Sequence, residues 1–582
     1  MRRHLPLLFA VLALLLPAAA RAGAPAHADH YMISSANPHA SAAGLAMLRA
    51  GGSAVDAAIA AQAVLSLVEP QSSGIGGGGF LLHYDAAAGD LVAYDGRETA
   101  PMAADETLFL DDNGETLPFL EAALGGRAVG VPGVLAMLER AHRAHGRLPW
   151  ADLFVPAIRL AEAGFAISPR LHALLARRAG RYRKMGLHLA DLGTAGSYFF
   201  VEDANGLRAK ETGTRLRNPD YAATLRAIAA GGADAFYRGP LARAMVAAVH
   251  DNPFSVGTLS LADLAAYRAR ATDPVCGAYR RHWVCSMGPP SSGATTLLAI
   301  LGILEGFDMP SLAPQSAEAV HLFAEASELA YADRDEYTAD AAFFPVPVAG
   351  LIDRNYLAER RRLIRRDRAM GRAPAGIPPG WDGPPPPQEE AAEGPSTSHL
   401  VVADAAGNVV SFTTTVQIAF GSFLISGGFI LNNQLTDFSF APEREGRKRA
   451  NRVEPGKRPR SSMTPTIAFD AAGRPVLAVG SPGGGRIIDY VAKAVIAVLD
   501  WKMDMQAAID LPNMVARNGV LELEAGTRLA DLAPALAAMG HTVRQGALES
   551  GLHGIRIRYR PDGSPLYEGG ADPRREGIAL GD

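Results

Sequence analysis

The sequence has only two cysteines among its 582 residues. Two cannot build a disulfide scaffold, nor a cysteine-rich zinc or iron–sulfur framework. An excess of either charge is also missing. Lys and Arg number 56 against 60 Asp and Glu, a formal net charge of −4. Without a basic surplus to neutralise phosphates, a dedicated nucleic-acid binder is excluded. Long apolar runs are absent apart from one at the extreme N-terminus. What remains is 48% hydrophobic and 20% charged, the make-up of a folded globular chain. That excludes a disordered chain, a coiled coil and a collagen. The length is ample for a large core or several domain-sized units.

The N-terminal run reads as an address. Arg2 and Arg3 precede LPLLFAVLALLLPAAA at 5–20, and Ala20-Arg21-Ala22 has the form of an A-x-A cleavage site. This is the pattern of a secretory signal peptide over residues 1–22. The run is short for a membrane anchor, and Pro17 interrupts it. The expected compartment is therefore periplasmic or secreted, with no membrane contact once the leader is removed. Export gives the cysteines a second meaning. In VCGAYRRHWVC, a hairpin centred on Arg280-Arg281 sets Cys276 opposite Cys285 in a non-hydrogen-bonded pair, close enough for a disulfide. Arg-Arg is poor chemistry for a two-residue turn.

Along the chain, 38–69 predicts alanine-rich helices around a turn at Gly51-Gly52, and 119–275 reads as mostly helical. Residues 373–396 differ in kind. Eight prolines from Pro374 to Pro395 exclude a helix or an interior strand, so this is a solvated linker. After it the pattern turns to β. HLVVAD, a turn at 405–408 and VVSFTTTVQIAF predict a hairpin. The plain reading is two domains joined by a linker. The sharper one makes the linker a processing site, dividing the chain into 23–396 and 397–582.

Two glycine clusters separate by context. Gly74–Gly79 satisfies G-x-G-x-x-G, but a helix precedes it and a strand follows, the reverse of a dinucleotide loop. It reads as a turn where backbones approach closely. SPGGGR at 481–486 follows a strand and opens an apolar helix, so its N–H groups are placed to hold an anion or an oxyanion. Thr397 stands where the linker meets the first β-strand. A threonine hydroxyl is a weak nucleophile unless a base adjoins it. An N-terminal threonine carries that base itself, since a free α-amine has a pKa of about 7.7–8.0. The amine exists only after the Ser396–Thr397 bond is cut, and the same hydroxyl could attack that carbonyl. A triad through His399 is disfavoured, because neighbouring strand residues point to opposite faces. Thr397 merely starting a strand is the bland alternative.

TSHLVVADAAGNVVSFTTTVQIAFGS from Thr397, ILNNQLTDF, PGKRPRSSMTPTI and GSPGGGRII together resemble the γ-glutamyltranspeptidases, or glutathione hydrolases. Upstream, GGSAVDAAIAAQAVLSLVEPQSSGIGGGGF, YDGRETAP, PPSSGATT and AEASELAYADRDEY resemble the same family in the same order. The resemblance implies an α/β (α+β) fold, the four-layer αββα sandwich of the N-terminal-nucleophile hydrolases. It implies a precursor that cuts itself before Thr397 into large and small subunits that stay together as a heterodimer. Thr397 would then take the γ-glutamyl group of glutathione and pass it to water or to an amino acid or peptide acceptor. By the same resemblance Thr415 supports the nucleophile, and Gly483 and Gly484 form the oxyanion hole. Arg97, Ser461 and Ser462 clamp the substrate's α-carboxylate, and Gln434 and Asp437 hold its ammonium. The chemistry needs no cofactor or metal.

Two departures bear on substrate range. Gln417 stands where many members carry Asn, and Gln reaches one methylene further. The stretch DFSFAPEREGRKRAN, 437–451, is short and lacks tyrosine, which implies an open site. Two other functions fit the same residues: an acylase acting on glutaryl amides or poly-γ-glutamate, and an unprocessed exported binding protein. Arg97 and Asp437 argue against substrates without a zwitterion.

Overall fold

The computed structural model describes residues 23–387, 394 and 396–582. The leader read at 1–22 lies outside them. Fourteen strands form two antiparallel seven-stranded sheets. The first runs in the order Ile578–Gly581, Met32–Ser35, Ser398–Ala403, Val409–Thr415, Gly78–Asp85, Asp90–Gly96, Arg270–Thr272. The second runs Ala26–Ala28, Pro565–Ala571, His553–Tyr559, Pro475–Gly480, Thr466–Phe469, His282–Ser286, Val275–Tyr279.

The sheets face one another, and helices cover both outer faces. Pro38–Arg49, Ala54–Val68 and Val134–His145 pack on the first sheet. Gly293–Leu304, Ile487–Leu499 and Met505–Asp510 pack on the second. This is the four-layer αββα sandwich. The strand period sorts side chains between the layers. Leu400, Val402, Val410 and Phe412 join the helix-side core, whereas Val401, Ala403 and Val409 join the core shared with the second sheet. Ala54–Val68 is wholly buried, and Ser53 with Asp56 closes its N-terminus as a reciprocal capping box.

The halves on either side of the proline segment are not separate lobes. Ser398–Ala403 and Val409–Thr415 insert between Met32–Ser35 and Gly78–Asp85, with Leu400 opposite Ser35 and Thr413 opposite Phe80. The predicted strand VVSFTTTVQIAF also stops early, at Thr415. Gln417 and Phe420 take left-handed backbone, with φ of 83° and 69°, and this turns the chain out of the sheet.

Cys276 and Cys285 are cross-strand partners, their Cα atoms 4.1 Å apart and their sulfurs bonded. Arg280 supplies the left-handed turn residue at φ 55°. Its guanidinium is fixed by the carbonyls of Glu305 and Phe307 and by Asp500, which offsets the poor turn chemistry. No described helix is long and apolar enough to cross a membrane.

Candidate active site

The 398–415 hairpin brings two threonines together. Its register pairs Ser398 with Thr414, which leaves Thr397 abreast of Thr415. Their hydroxyl oxygens are 3.3 Å apart. The Thr397 hydroxyl donates to the carbonyl of Ser396, the residue just before it, and Thr415 Oγ1 donates to the same carbonyl at 3.1 Å. Thr415 Oγ1 also accepts the Gln417 N–H at 2.9 Å, so its orientation is fixed. Gly76 and Gly77 explain the first glycine cluster. A Cβ on Gly77 would lie 2.0 Å from the Thr415 carbonyl, and one on Gly76 2.2 Å from that of Ile430. The cluster lets one strand end pass close beneath the site, as expected of a close-approach turn.

Around the threonines lies a cavity of about 20 Å³, enough for one water molecule. Arg97, Thr397, Thr415, Gln417, Gln434, Asp437, Ser461, Ser462 and Gly484 line it, with Gly394 and Ser396 of the linker end. Arg97 and Asp437 form a buried ion pair at 2.6 Å. Arg97 Nη2 also donates to the Arg460 carbonyl, and Nε to that of Pro459. The amide nitrogens of Gln417 and Gln434 donate to Asp437 at 2.8 and 2.6 Å. Their amide oxygens are buried and have no donor among the described residues. Both glutamines thus share the Asp437 carboxylate at the wall of the cavity. The Ser461 and Ser462 turn is braced from a distant helix: Arg334 donates to Ser462 Oγ at 2.6 Å and to Ser292 Oγ at 2.9 Å, and Ser292 Oγ donates to the Ser461 carbonyl.

The second glycine cluster lies between the Pro475–Gly480 strand and the Ile487–Leu499 helix. Gly483 and Gly484 have φ of 139° and 59°, conformations that favour glycine. Gly484 lines the threonine cavity, whereas Gly483 faces a neighbouring larger one.

The family model for gamma-glutamyltranspeptidase matches residues 40–582. The chain belongs to that family. It is 37% identical over 565 residues to a glutathione hydrolase proenzyme of Bacillus subtilis (strain 168), covering 94% of this chain and 91% of that protein. It is 38% identical over 548 residues to the Acylase ACY 1 proenzyme of Pseudomonas sp. (strain SE83), covering 93% and 92%. A crystal structure of cephalosporin acylase from Bacillus halodurans matches with a TM-score of 0.83 at 28% identity over 99% of each chain. This family member is thus an enzyme of the hydrolase and transferase kind, on the N-terminal-nucleophile hydrolase fold.

Sequence reasoning missed several residues of this site. Glu98 adjoins Arg97 in GRETAP and is fully buried, its carboxylate 3.7 Å from Arg97 Nη1 and without a hydrogen bond among the described residues. Burial pushes its pKa up from the ordinary 4.5 to about 8, against the opposing pull of Arg97. The folded state therefore holds a proton that the unfolded state has lost between pH 4.5 and 8. Stability from this group is full below about 4.5 and falls as pH rises towards 8. Glu98→Gln cannot titrate. Its melting temperature relative to the parent is expected to rise by a few degrees from pH 5 to pH 8, measured by calorimetry. A constant offset across that range would show Glu98 to be ionised throughout.

Arg575 was also unforeseen; its guanidinium donates to the Thr397 carbonyl at 2.9 Å. His399, by contrast, bonds Thr413 Oγ1 at 2.8 Å and packs against Gly480, so it does not serve Thr397. Burial, with His553 nearby, holds its pKa well below the usual imidazole range. The fold further joins His321, Glu325 and His541, with His321 Nδ1 and His541 Nε2 2.7 Å apart; none of the three lines the Thr397 cavity.

Proposed function

We propose that this protein is an exported, self-processing γ-glutamyltransferase and glutathione hydrolase. The observation that carries this reading is the Thr397 hydroxyl lying against the Ser396 carbonyl beside the Arg97–Asp437 pocket. In the precursor, Thr397 Oγ1 attacks the Ser396 carbonyl carbon. The C–N bond breaks and an ester forms, freeing the Thr397 amine. Water then cleaves the ester and leaves a carboxylate on Ser396. Residues 23–396 and 397–582 stay associated because each sheet draws strands from both. Export rests on the leader-like residues 1–22.

In the mature enzyme the Thr397 amine takes the proton of its own hydroxyl, and Oγ1 attacks the γ-carbonyl. Thr415 holds the hydroxyl in line. The backbone N–H groups of the Gly483-Gly484 turn stabilise the oxyanion. The leaving amine takes the proton, and a γ-glutamyl ester remains on Thr397. Water or an acceptor amine then resolves it. The Arg97–Asp437 pair suits a zwitterion, because the substrate brings both charges. Its carboxylate replaces Asp437 at Arg97, and its ammonium meets Asp437, Gln417 and Gln434. Ion pairs are exchanged and no charge is left buried alone. A glutaryl amide has no ammonium and would leave those acceptors unmatched, which argues against the acylase reading despite the acylase relatives.

The test compares γ-glutamyl-p-nitroanilide with glutaryl-p-nitroanilide, each with and without glycylglycine. The expected result is at least about 100-fold higher kcat/KM for the γ-glutamyl compound. A preference for the glutaryl compound would overturn the reading.

A further inference from the structure

His321, Glu325 and His541 form a cluster apart from the Thr397 cavity. His321 and Glu325 sit one turn apart on the helix Ala317–Tyr337, so their side chains share a face. His541 reaches them from the turn that follows Ala533–Ala538. One donor atom from each residue lies within 4.8 Å of the other two. The cluster draws on both sides of the Ser396–Thr397 bond, with His321 and Glu325 before it and His541 after it.

The surroundings fix how these donors point. His321 Nε2 lies 2.7 Å from the Arg365 carbonyl. A carbonyl only accepts, so Nε2 carries the hydrogen and Nδ1 keeps its lone pair. That lone pair faces His541 Nε2 at 2.7 Å, with the two rings inclined at 71°. The Glu325 carboxylate is held by the Met370 N–H, 3.1 Å from Oε2. A ring nitrogen anchored on a carbonyl at its far side, and a carboxylate anchored by a backbone N–H, are the outer supports that metal ligands carry. A hydrogen-bonded histidine pair alone would need no third donor. His321 and Glu325 are 0% and 1% exposed, whereas His541 is half-buried, which leaves an approach from solvent.

We infer that His321, Glu325 and His541 form a site for one divalent transition-metal ion, with Zn²⁺ the ion these donors suit best. Two imidazoles and a carboxylate match Zn²⁺, whereas Mg²⁺ and Ca²⁺ prefer all-oxygen sets. At bond lengths of about 2.0–2.2 Å, tetrahedral ligand atoms stand about 3.4 Å apart. The ring nitrogens, now at 2.7 Å, therefore part by about 0.7 Å, within the reach of side-chain rotation. His541 binds through Nε2 as its Nδ1–H tautomer and Glu325 as the carboxylate. Displaced protons go to water, and a water takes the fourth position. None of the three residues lines the Thr397 cavity, so the ion is a structural tie and takes no part in acyl transfer. It clips Ala317–Tyr337 to the 539–541 turn, beside the bond from the Ala369 N–H to the Met539 carbonyl at 2.7 Å. Once the chain is cut, the tie spans the two subunits. Only that spanning role rests on the self-processing reading; the site itself does not.

The test uses the full chain without an affinity tag, stripped with a chelator and dialysed. Zn²⁺ is then titrated in competition with a chromophoric chelator. The parent is expected to bind one equivalent with a Kd of about 1 μM or less. His541→Ala and Glu325→Gln should each bind it at least about tenfold more weakly. Co²⁺ should give the visible bands of a four-coordinate ion in the parent and not in His541→Ala. In cleaved protein, Zn²⁺ is expected to raise the urea concentration at which the subunits separate, in the parent and not in His541→Ala. No such equivalent in the parent, or one that both variants retain unchanged, would overturn the site. An equivalent that binds without moving the separation midpoint would overturn the tie. Anilide turnover should be equal in the parent and His541→Ala; its absence from both would count against the γ-glutamyl reading and leave the metal site standing.

Discussion

Thr397→Ala is expected to purify as one uncut chain and to release no γ-glutamyl product. The hydroxyl that touches the Ser396 carbonyl is gone, and with it the group that cuts the backbone. Thr415 Oγ1 donates to the same carbonyl oxygen at 3.1 Å, but it does not belong to the residue whose amide bond is cut. Removing a nucleophile that acts as a unit with its base lowers turnover by at least about 10⁴-fold. Denaturing electrophoresis reads the first effect, and anilide release reads the second. The fold should survive, because Thr397 lies ahead of the Ser398–Ala403 strand and contributes no strand pairing of its own. A variant that still splits at the same bond would place the chemistry elsewhere.

The second large effect is expected of Asp437→Asn. Arg97 is fully buried, and Asp437 is its counter-charge at 2.6 Å. Truncating one member of a buried, hydrogen-bonded charge pair typically costs about 2–5 kcal/mol, which is about 30-fold or more in kcat/KM. The loss should be selective. γ-Glutamyl substrates lose the partner of their ammonium, whereas glutaryl analogues have no ammonium to lose. The ratio between the two therefore moves towards one, a shift that general damage to the fold would not produce. The melting temperature should fall as well, because Arg97 is left buried without its ion pair. An unchanged substrate ratio would remove Asp437 from ammonium recognition.

The elements legible in the sequence were those fixed by local register or by family blocks. The hairpin with its turn at 405–408 was read from the sequence, and the family blocks named Thr415; the structure joins the two, setting Thr415 beside Thr397, eighteen positions earlier in the chain. Hairpin register also brought Cys276 opposite Cys285. Arg97, Gln417, Gln434, Asp437, Ser461 and Ser462 could be named from motifs, and they line one cavity.

What was not legible depended on contacts between remote segments. Arg575 follows the Pro565–Ala571 strand near the C-terminus, in a run that offers no local signal, yet it reaches the Thr397 carbonyl. The plain two-domain reading failed for a related reason. Strand propensity marks Ser398–Ala403 as β, but only the assembled sheet reveals its neighbour to be Met32–Ser35, from the other end of the chain. Gln417 was expected to continue a strand, because its left-handed backbone is imposed by the close-packed turn around Asn433 and not by its own preference.

The most direct measurement is mass spectrometry of the protein mixed briefly with a γ-glutamyl amide and quenched in acid. The expected species is a fragment beginning at Thr397 that carries one γ-glutamyl group on that terminal residue. Label on any other side chain, or turnover by a chain still joined through Ser396–Thr397, would contradict the role of the freed threonine amine.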